Sequence, residues 1–230
     1  MTDIGCHRSE NEDCSLCDEK LRVFAVADGI GGLPAGAQAS SGAITILADW
    51  FRRHPAAATA DYAAALEETN DAVFFLGSQL SPRQGIGTTL TLAHFGTDVF
   101  HVVHVGDSSM FAWRSGEITV LTTDHNVEND QKARAARGEP VHFFQGNLHA
   151  LTRCVGQPPP LEGDITEHVY KSGDRFLVCT DGITRCITAH EIGEYLAEAE
   201  TPEAAATLLV ELARERGGLD NATAVVIFAE

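Results

Sequence analysis

The chain has 230 residues, of which 44% are hydrophobic and 21% charged, a composition typical of globular proteins and unlike that of disordered or fibrous chains. Its formal net charge of −17 argues against nucleic acid as a partner, because phosphate backbones are bound through many lysine and arginine side chains. No apolar run approaches the ~20 residues that span a bilayer, and the N-terminus lacks the layout of a signal peptide. We therefore expect one domain over residues 1–230, in a cytoplasmic protein without a membrane partner.

The apolar periodicity of the N-terminal half predicts a strand at 21–27 and an Ala-rich helix at 35–53. A second helix begins at Asp61 and places one apolar stripe inward, formed by Tyr62, Leu66, Val73 and Leu76. Four strands follow in direct succession, at 88–94, 99–105, 110–113 and 118–121. Residues 114–117, Arg-Ser-Gly-Glu, predict a hairpin turn between the last two strands.

The C-terminal half begins with a predicted strand at 175–179. Thr188 and Glu191 have the spacing of a capping box. Thr201-Pro202 begins a last helix that Gly217-Gly218 ends, and its predicted inward side chains are Leu208, Leu209 and Leu212. A strand at 222–228 closes the chain. Helices that separate groups of consecutive strands favour an α+β sandwich over an alternating parallel α/β sheet.

Two segments leave alternatives open. Residues 126–150 are polar, lack clean periodicity and contain Lys132, Arg134 and Arg137, so they predict either an irregular flap beside the active site or an ordinary surface insertion. Cys14 and Cys17 have the C-x-x-C spacing of zinc or redox sites, but no second pair follows at the distance that a zinc site requires.

The most informative pattern is an acid beside a glycine or asparagine at the ends of several strands. Asp28-Gly29, Gly106-Asp107 and Asp181-Gly182 follow strands, and Asp220-Asn221 precedes one. In an antiparallel sheet the start of one strand lies beside the end of its neighbour, so the four acids can meet at one rim. Converging carboxylates repel unless cations or protons neutralise them, and oxygen ligands favour hard ions such as Mg²⁺ or Mn²⁺.

A further polar cluster lies near the N-terminus. Arg8 offers a planar fork that suits phosphate oxygens, and Glu12 and Asp13 are placed to orient metal-bound water. The alternative is an exposed charged turn. We predict Arg8, Glu12 and Asp13 as catalytic residues.

In order along nearly the whole chain, these segments resemble the protein phosphatase 2C family of metal-dependent Ser/Thr phosphatases in its compact bacterial form. The matching pieces are residues 2–5 with Arg8 and Asn11-Glu12-Asp13, then 26–32, Gly87-Thr-Thr-Leu90, 105–108, 151–156, Asp181-Gly182 and 220–223. The resemblance implies a four-layer α-β-β-α sandwich with two antiparallel sheets around a metal centre. It also implies phosphorylated proteins, the products of a Ser/Thr kinase, as substrates, and we expect a monomer.

The same resemblance implies a role for each acid. Asp28 would bridge two Mn²⁺ or Mg²⁺ ions, Asp181 and Asp220 would hold one of them, and the Gly29 carbonyl would hold the other. Asp107 would bind a third, weaker ion, and Arg8 the phosphate. Two such ions make a bridging water acidic enough to supply hydroxide near neutral pH.

Two positions depart from the family pattern. Ser109 stands where arginine is most frequent, and Ile30 stands where many eukaryotic members have a histidine proposed as the general acid. Either water or another residue, such as His125, would then protonate the leaving group. The alternatives to a protein phosphatase are a phosphatase for small phosphomonoesters and a regulatory module without strong activity.

Overall fold

The computed structural model describes residues 1–55, 61–141 and 146–230. The strands are β1 Thr2–Asp3, β2 Asp13–Asp18, β3 Val23–Asp28, β4 Leu90–Phe95, β5 Val99–Val105, β6 Ser109–Arg114, β7 Glu117–Val120, β8 Asp164–Val169, β9 Arg175–Cys179 and β10 Ala222–Phe228. The helices are α1 Gly36–Arg53, α2 Asp61–Leu80, α3 Val127–Ala136, α4 Asp181–Thr184, α5 Ala189–Glu198 and α6 Pro202–Glu215.

The strands form two antiparallel five-stranded sheets. The first has the order β1-β10-β9-β6-β7 and the second the order β2-β3-β4-β5-β8. A buried cluster that includes Phe24, Phe100, Met110 and Phe176 draws residues from both sheets, so the sheets pack face to face. Helices α1 and α2 cover the outer face of the second sheet, and α5 and α6 cover that of the first. The predicted α+β, four-layer α-β-β-α sandwich is confirmed.

The apolar strands are those buried on both faces. Along β3, Val23, Ala25 and Ala27 pack beneath α1 and α2, whereas Phe24 and Val26 point between the sheets. Strand β9 divides in the same way, because Leu177 packs against α5 and α6 while Phe176 and Val178 face the other sheet. A side-chain period of two therefore produces an uninterrupted apolar run wherever both faces are covered.

The predicted helix and turn signals are largely confirmed. Thr188 and Glu191 form the capping box of α5, and the Thr201 hydroxyl accepts the Ala204 N–H at the start of α6. Ser115 and Gly116 both have positive φ, which suits the two-residue turn of the β6–β7 hairpin. The expectation for Leu208 was wrong, since 42% of this residue is exposed while its neighbour Leu209 is fully buried.

Three strands were not predicted, namely β1, β2 and β8. Their exposed positions break the apolar pattern, as in β8, where only the second and fifth residues are partly buried.

Strand β2 contains Cys14 and Cys17, which are three residues apart and therefore point to opposite faces of the sheet. This geometry does not suit a C-x-x-C metal or redox site.

The segment 126–150 is not irregular throughout its described residues, because α3 occupies its first half. The Asn126 side chain accepts the Asn129 N–H and caps this helix. Backbone bonds from Val127 to Ala150 and from Glu128 to Leu148 join the two ends of the segment. Residues 142–145 of the predicted flap lie outside the described residues. No helix in the described part of the chain combines the length and apolar character needed to cross a membrane.

Candidate functional site

The site lies where acids from both sheets meet at one end of the sandwich. Strands β3 and β5 of the second sheet run into Asp28 and Asp107, and β2 begins at Asp13. In the first sheet β9 runs into Asp181, and β10 follows Asp220. The sequence predicts four acids at one rim of a single sheet, whereas in the structure the aspartates lie at the ends of strands from two sheets. We call Asp13, Asp28, Asp107, Asp181 and Asp220 the aspartate cluster.

Asp28 is fixed through its backbone. Its N–H donates to the Thr89 hydroxyl at 3.0 Å, and its carbonyl accepts the Thr88 hydroxyl at 2.8 Å. Asp28 is also the direct register partner of Asp13 in the β2–β3 ladder. Direct partners in an antiparallel ladder present their side chains on the same face, so the two carboxylates are neighbours.

Asp13 connects the two sheets. Its Oδ2 atom accepts hydrogen bonds from the Thr180 hydroxyl at 2.8 Å and the Thr223 hydroxyl at 2.7 Å, both of which belong to the first sheet's side of the sandwich. Its Oδ1 atom is buried and has no hydrogen-bond partner among the described residues. One oxygen of Asp13 is thus anchored and the other is available.

Asp181 and Asp220 are brought together by a close backbone contact. A Cβ atom on Gly182 would lie 1.9 Å from the Asn221 carbonyl oxygen, so only glycine allows α4 to approach the turn before β10. The Asn221 side chain stabilises that turn by donating to the carbonyls of Ile4 and Glu10 at 2.9 and 3.1 Å. It also accepts the Glu12 N–H at 2.9 Å, which ties the N-terminal acids to this turn.

Glu12 lies against the beginning of α1. A Cβ atom on Gly36 would lie 2.3 Å from Glu12 Oε1, and one on Gly29 would lie 2.5 Å from the Gly36 carbonyl. Gly29 therefore has a packing reason to be glycine, in addition to the expected use of its carbonyl as a ligand. Burial raises the pKa of Glu12, and the nearby Arg8 partly offsets this effect.

Two arginines neutralise part of the cluster. Arg8 donates to Asp220 Oδ2 at 2.8 Å and lies 3.9 Å from Glu12, and its guanidinium borders Gly31. Arg185 contacts Asp181 Oδ2 at 2.5 Å and Asp220 Oδ2 at 2.9 Å. Sequence reasoning identified Arg8 but missed Arg185, for which the only local signal was its position four residues after Asp181 on one helical turn.

Asp107 follows a turn that requires glycine. Gly106 has a φ of 111°, and a Cβ atom there would lie 2.6 Å from the Thr89 side chain. His125 accepts the Gly106 N–H at 3.2 Å through Nδ1, while its Nε2 lies 3.3 Å from Asp164 Oδ2 and from Arg153 Nη1. Both ring nitrogens are thus engaged in supporting this turn, which leaves His125 poorly placed to protonate a leaving group. Ser109 is buried in β6.

Burial and mutual repulsion raise the pKa values of several aspartates in the cluster. Burial raises the pKa of Asp13 to about 6 and that of Asp181 to about 7, with further increases from neighbouring aspartates. Burial also raises the pKa of Asp28 well above its usual range, and the four other members of the cluster raise it further. Asp107 is shifted in the same direction, chiefly by burial. Carboxylates in this condition bind either protons or cations.

The donor set suits hard divalent cations. Asp13 Oδ1 and Asp181 Oδ1 are buried without hydrogen-bond partners among the described residues, and an unsatisfied buried oxygen is where an ion, or a water bound to one, is expected. All five side chains of the aspartate cluster offer oxygen, which Mg²⁺ and Mn²⁺ prefer. Within residues 1–55, 61–141 and 146–230, no three Asp, Glu, His or Cys side chains stand in an arrangement that could hold a metal ion without further movement. Arg8 and Arg185 instead neutralise Asp181 and Asp220.

The comparisons with known proteins agree with this fold. A sequence model described as "Protein phosphatase 2C" matches residues 9–217. The chain is 30% identical to a putative protein phosphatase 2C-type from Streptococcus pyogenes serotype M6, over 100% of this chain and 96% of the relative. The chain therefore belongs to the protein phosphatase 2C family.

Two further similarities concern proteins named as Ser/Thr phosphatases. The chain is 33% identical to the Mycobacterium tuberculosis serine/threonine protein phosphatase PstP, over 98% of this chain but only 43% of that longer relative. The catalytic domain of PstP in complex with two manganese ions superposes with a TM-score of 0.83 at 31% identity, over 100% of this chain and 96% of that one.

Proposed function

We propose that the protein removes phosphate from phosphoserine and phosphothreonine in proteins, using a water molecule activated by two Mn²⁺ or Mg²⁺ ions. The observation that carries this proposal is the meeting of five aspartates from two sheets, two of them with buried oxygens that lack hydrogen-bond partners among the described residues. Membership of the protein phosphatase 2C family and the manganese-bound PstP structure support the same reaction and the same cofactor.

In this proposal Asp28, Asp181, Asp220 and the Gly29 carbonyl would hold the two ions, and Asp107 would hold a third, weaker one. The ions would supply a water that deprotonates near neutral pH and positive charge for the phosphoryl oxygens. Asp13 keeps one oxygen anchored by Thr180 and Thr223, so its other oxygen is held in a fixed position to orient water. Glu12 is held beside Gly36 and would serve the same purpose.

Arg8 is the residue for the substrate phosphate. Its side chain is 36% exposed at the edge of the cluster, so the guanidinium can reach both the acids and an incoming ligand. A planar guanidinium donates two parallel hydrogen bonds to phosphate oxygens, and it would balance the charge that accumulates on them during transfer. With His125 engaged elsewhere, a water molecule is left to protonate the leaving Ser or Thr oxygen.

We also propose that residues 1–230 act as one catalytic domain, with 126–150 as its variable flap, in a cytoplasmic monomer that opposes a Ser/Thr kinase. Pairing of β1 with β10 joins the two ends of the chain and supports the single domain. The basic residues Lys132, Arg134 and Arg137 of the flap each pair with an acid of the same segment.

The direct test is phosphate release from a phosphothreonine peptide and from p-nitrophenyl phosphate, each with Mn²⁺, Mg²⁺ or EDTA. We expect turnover of both substrates with Mn²⁺ and none with EDTA. Turnover of the small ester alone would limit the activity to small phosphomonoesters. Binding of the phosphopeptide without turnover would identify a regulatory module instead.

A further inference from the structure

Arg185 makes an ion-pair arrangement that the proposed reaction does not require. Through its two terminal nitrogens, the guanidinium contacts two different carboxylates, Asp181 and Asp220, at 2.5 and 2.9 Å. These are the two acids assigned above to a single divalent ion. One protein cation therefore already neutralises the pair of ligands that this ion needs.

The contact atoms show why the ion and the guanidinium compete. Asp220 Oδ2 accepts from both Arg8 and Arg185, and a carboxylate oxygen has about two lone-pair positions. The other oxygen of Asp220 accepts the Asn221 N–H at 2.9 Å. A cation can bind Asp220 Oδ2 only after one of the two guanidinium groups has moved away.

Arg185 is the arginine that can leave more easily. Its side chain is 51% exposed, against 36% for Arg8, whereas the carboxylates of Asp181 and Asp220 are only 13% and 12% exposed. Its position at the C-cap of α4, four residues after Asp181, keeps the guanidinium within reach of the acids. The guanidinium thus reaches the buried acids from the solvent side, and it can move back into solvent when a cation binds the acids.

We infer that Arg185 is a built-in counter-ion that neutralises Asp181 and Asp220 in the metal-free protein and competes with the divalent ion for them. This inference rests on the proposed metal site. It gives Arg185 two measurable effects of opposite sign. The residue stabilises the metal-free fold by reducing repulsion within the aspartate cluster, and it weakens metal binding because its contact with Asp220 Oδ2 must be broken before an ion can bind that oxygen.

The test is calorimetric titration of Mn²⁺ into metal-free wild-type protein, Arg185→Gln, Arg185→Lys and the control Arg52→Gln. Arg52 pairs with Asp49 on the exposed surface of α1, so its replacement changes the net charge equally without touching the cluster. We expect Arg185→Gln to bind Mn²⁺ at least ~5-fold more tightly than Arg52→Gln, about 1 kcal/mol. Arg185→Lys, which keeps the charge but loses the fork, should lie between wild type and Arg185→Gln.

Thermal unfolding provides the second readout. In EDTA, Arg185→Gln should unfold at a lower temperature than Arg52→Gln, and saturating Mn²⁺ should raise its Tm by more. Equal or weaker Mn²⁺ binding by Arg185→Gln would overturn the inference about Arg185 while leaving the metal site intact. A changed KM for phosphopeptide with unchanged Mn²⁺ affinity would also overturn it, in favour of phosphate binding. Absence of Mn²⁺ binding in every protein would reject the proposed metal site and the inference together.

Discussion

Asp13 and Asp28 are direct partners in the β2–β3 ladder, one at the first position of its strand and the other at the last. Cross-strand pairs with like charges are destabilising, so this pairing is unfavourable for the fold in the absence of a cation or a proton. Burial makes it less favourable still, as the raised pKa values of both groups indicate. Such a pairing of buried acids is expected where the acids bind a cation.

The first prediction concerns the metal-free fold and pH. The folded-state pKa of Asp28 is raised, so between its ordinary pKa and the raised value the native state binds more protons than the unfolded state. Stability contributed by the protonated group is therefore lost as pH rises through this window. In EDTA at pH 8, Asp28→Asn should raise the Tm by at least ~3 °C, since ~1 kcal/mol corresponds to about 2–4 °C in a chain of this size.

That difference should shrink as pH falls toward 4, close to the ordinary aspartate pKa of ~3.9, where the folded state keeps Asp28 protonated and about half of the unfolded chains are protonated as well. Thermal scans of both proteins in EDTA from pH 4 to pH 8 measure it. A Tm difference that does not change with pH would show that Asp28 carries no charge penalty. The exposed substitution Asp49→Asn on α1 serves as the matched control and should show no such trend.

The second prediction concerns the two threonines that hold Asp13. Thr180→Val and Thr223→Val each remove one hydroxyl from Asp13 Oδ2 and keep the branched shape of the side chain. Each should destabilise the fold by about 1–3 kcal/mol because a buried acceptor loses a hydrogen bond. Urea unfolding measures the change, and kcat should fall with little change in KM. Thr119→Val, on the exposed face of β7, is the matched strand control and should have neither effect.

The third prediction concerns the approach of α4 to the turn before β10. Gly182→Ala would place a methyl group 1.9 Å from the Asn221 carbonyl oxygen, so the backbone must shift and separate Asp181 from Asp220. We expect a loss of ~2–4 kcal/mol in the free energy of unfolding and weaker Mn²⁺ binding by calorimetry. Gly42→Ala in α1 is the control, because its methyl group meets only Leu76 at 3.5 Å and should stabilise the helix by ~0.5–1 kcal/mol.

The fourth prediction concerns Arg8. Replacing it by alanine removes a fork suited to phosphate oxygens at the edge of the site, so KM for a phosphothreonine peptide should rise roughly 10-fold or more. Steady-state kinetics at saturating Mn²⁺ measures the change, and Arg52→Ala should leave KM unaltered. If KM and kcat of Arg8→Ala both match those of wild type, Arg8 does not contact the substrate.

The strand-end pattern predicted that Asp28, Asp107, Asp181 and Asp220 lie near one another, because an acid beside a buried apolar run is placed by local structure. It did not include Asp13, whose place depends on β2, a strand that the sequence pattern did not reveal. The roles of Thr180 and Arg185 could not be read in the same way, since their contacts with Asp13 and Asp220 depend on how the two sheets pack. Strand β8 was not predicted because its exposed positions interrupt the apolar pattern that indicates a buried strand.

Phosphate release from a phosphothreonine peptide, compared between wild-type protein and Asp28→Asn at saturating Mn²⁺, decides whether the aspartate cluster catalyses the proposed reaction. Asp28 lies at the centre of the cluster, and every other member of the cluster contributes to its raised pKa. We expect kcat/KM to fall at least ~100-fold in Asp28→Asn, because a neutral amide would hold divalent ions more weakly than the carboxylate it replaces. If Asp28→Asn is as active as wild type, or if wild type stays active in EDTA, the aspartate cluster does not catalyse a metal-dependent reaction.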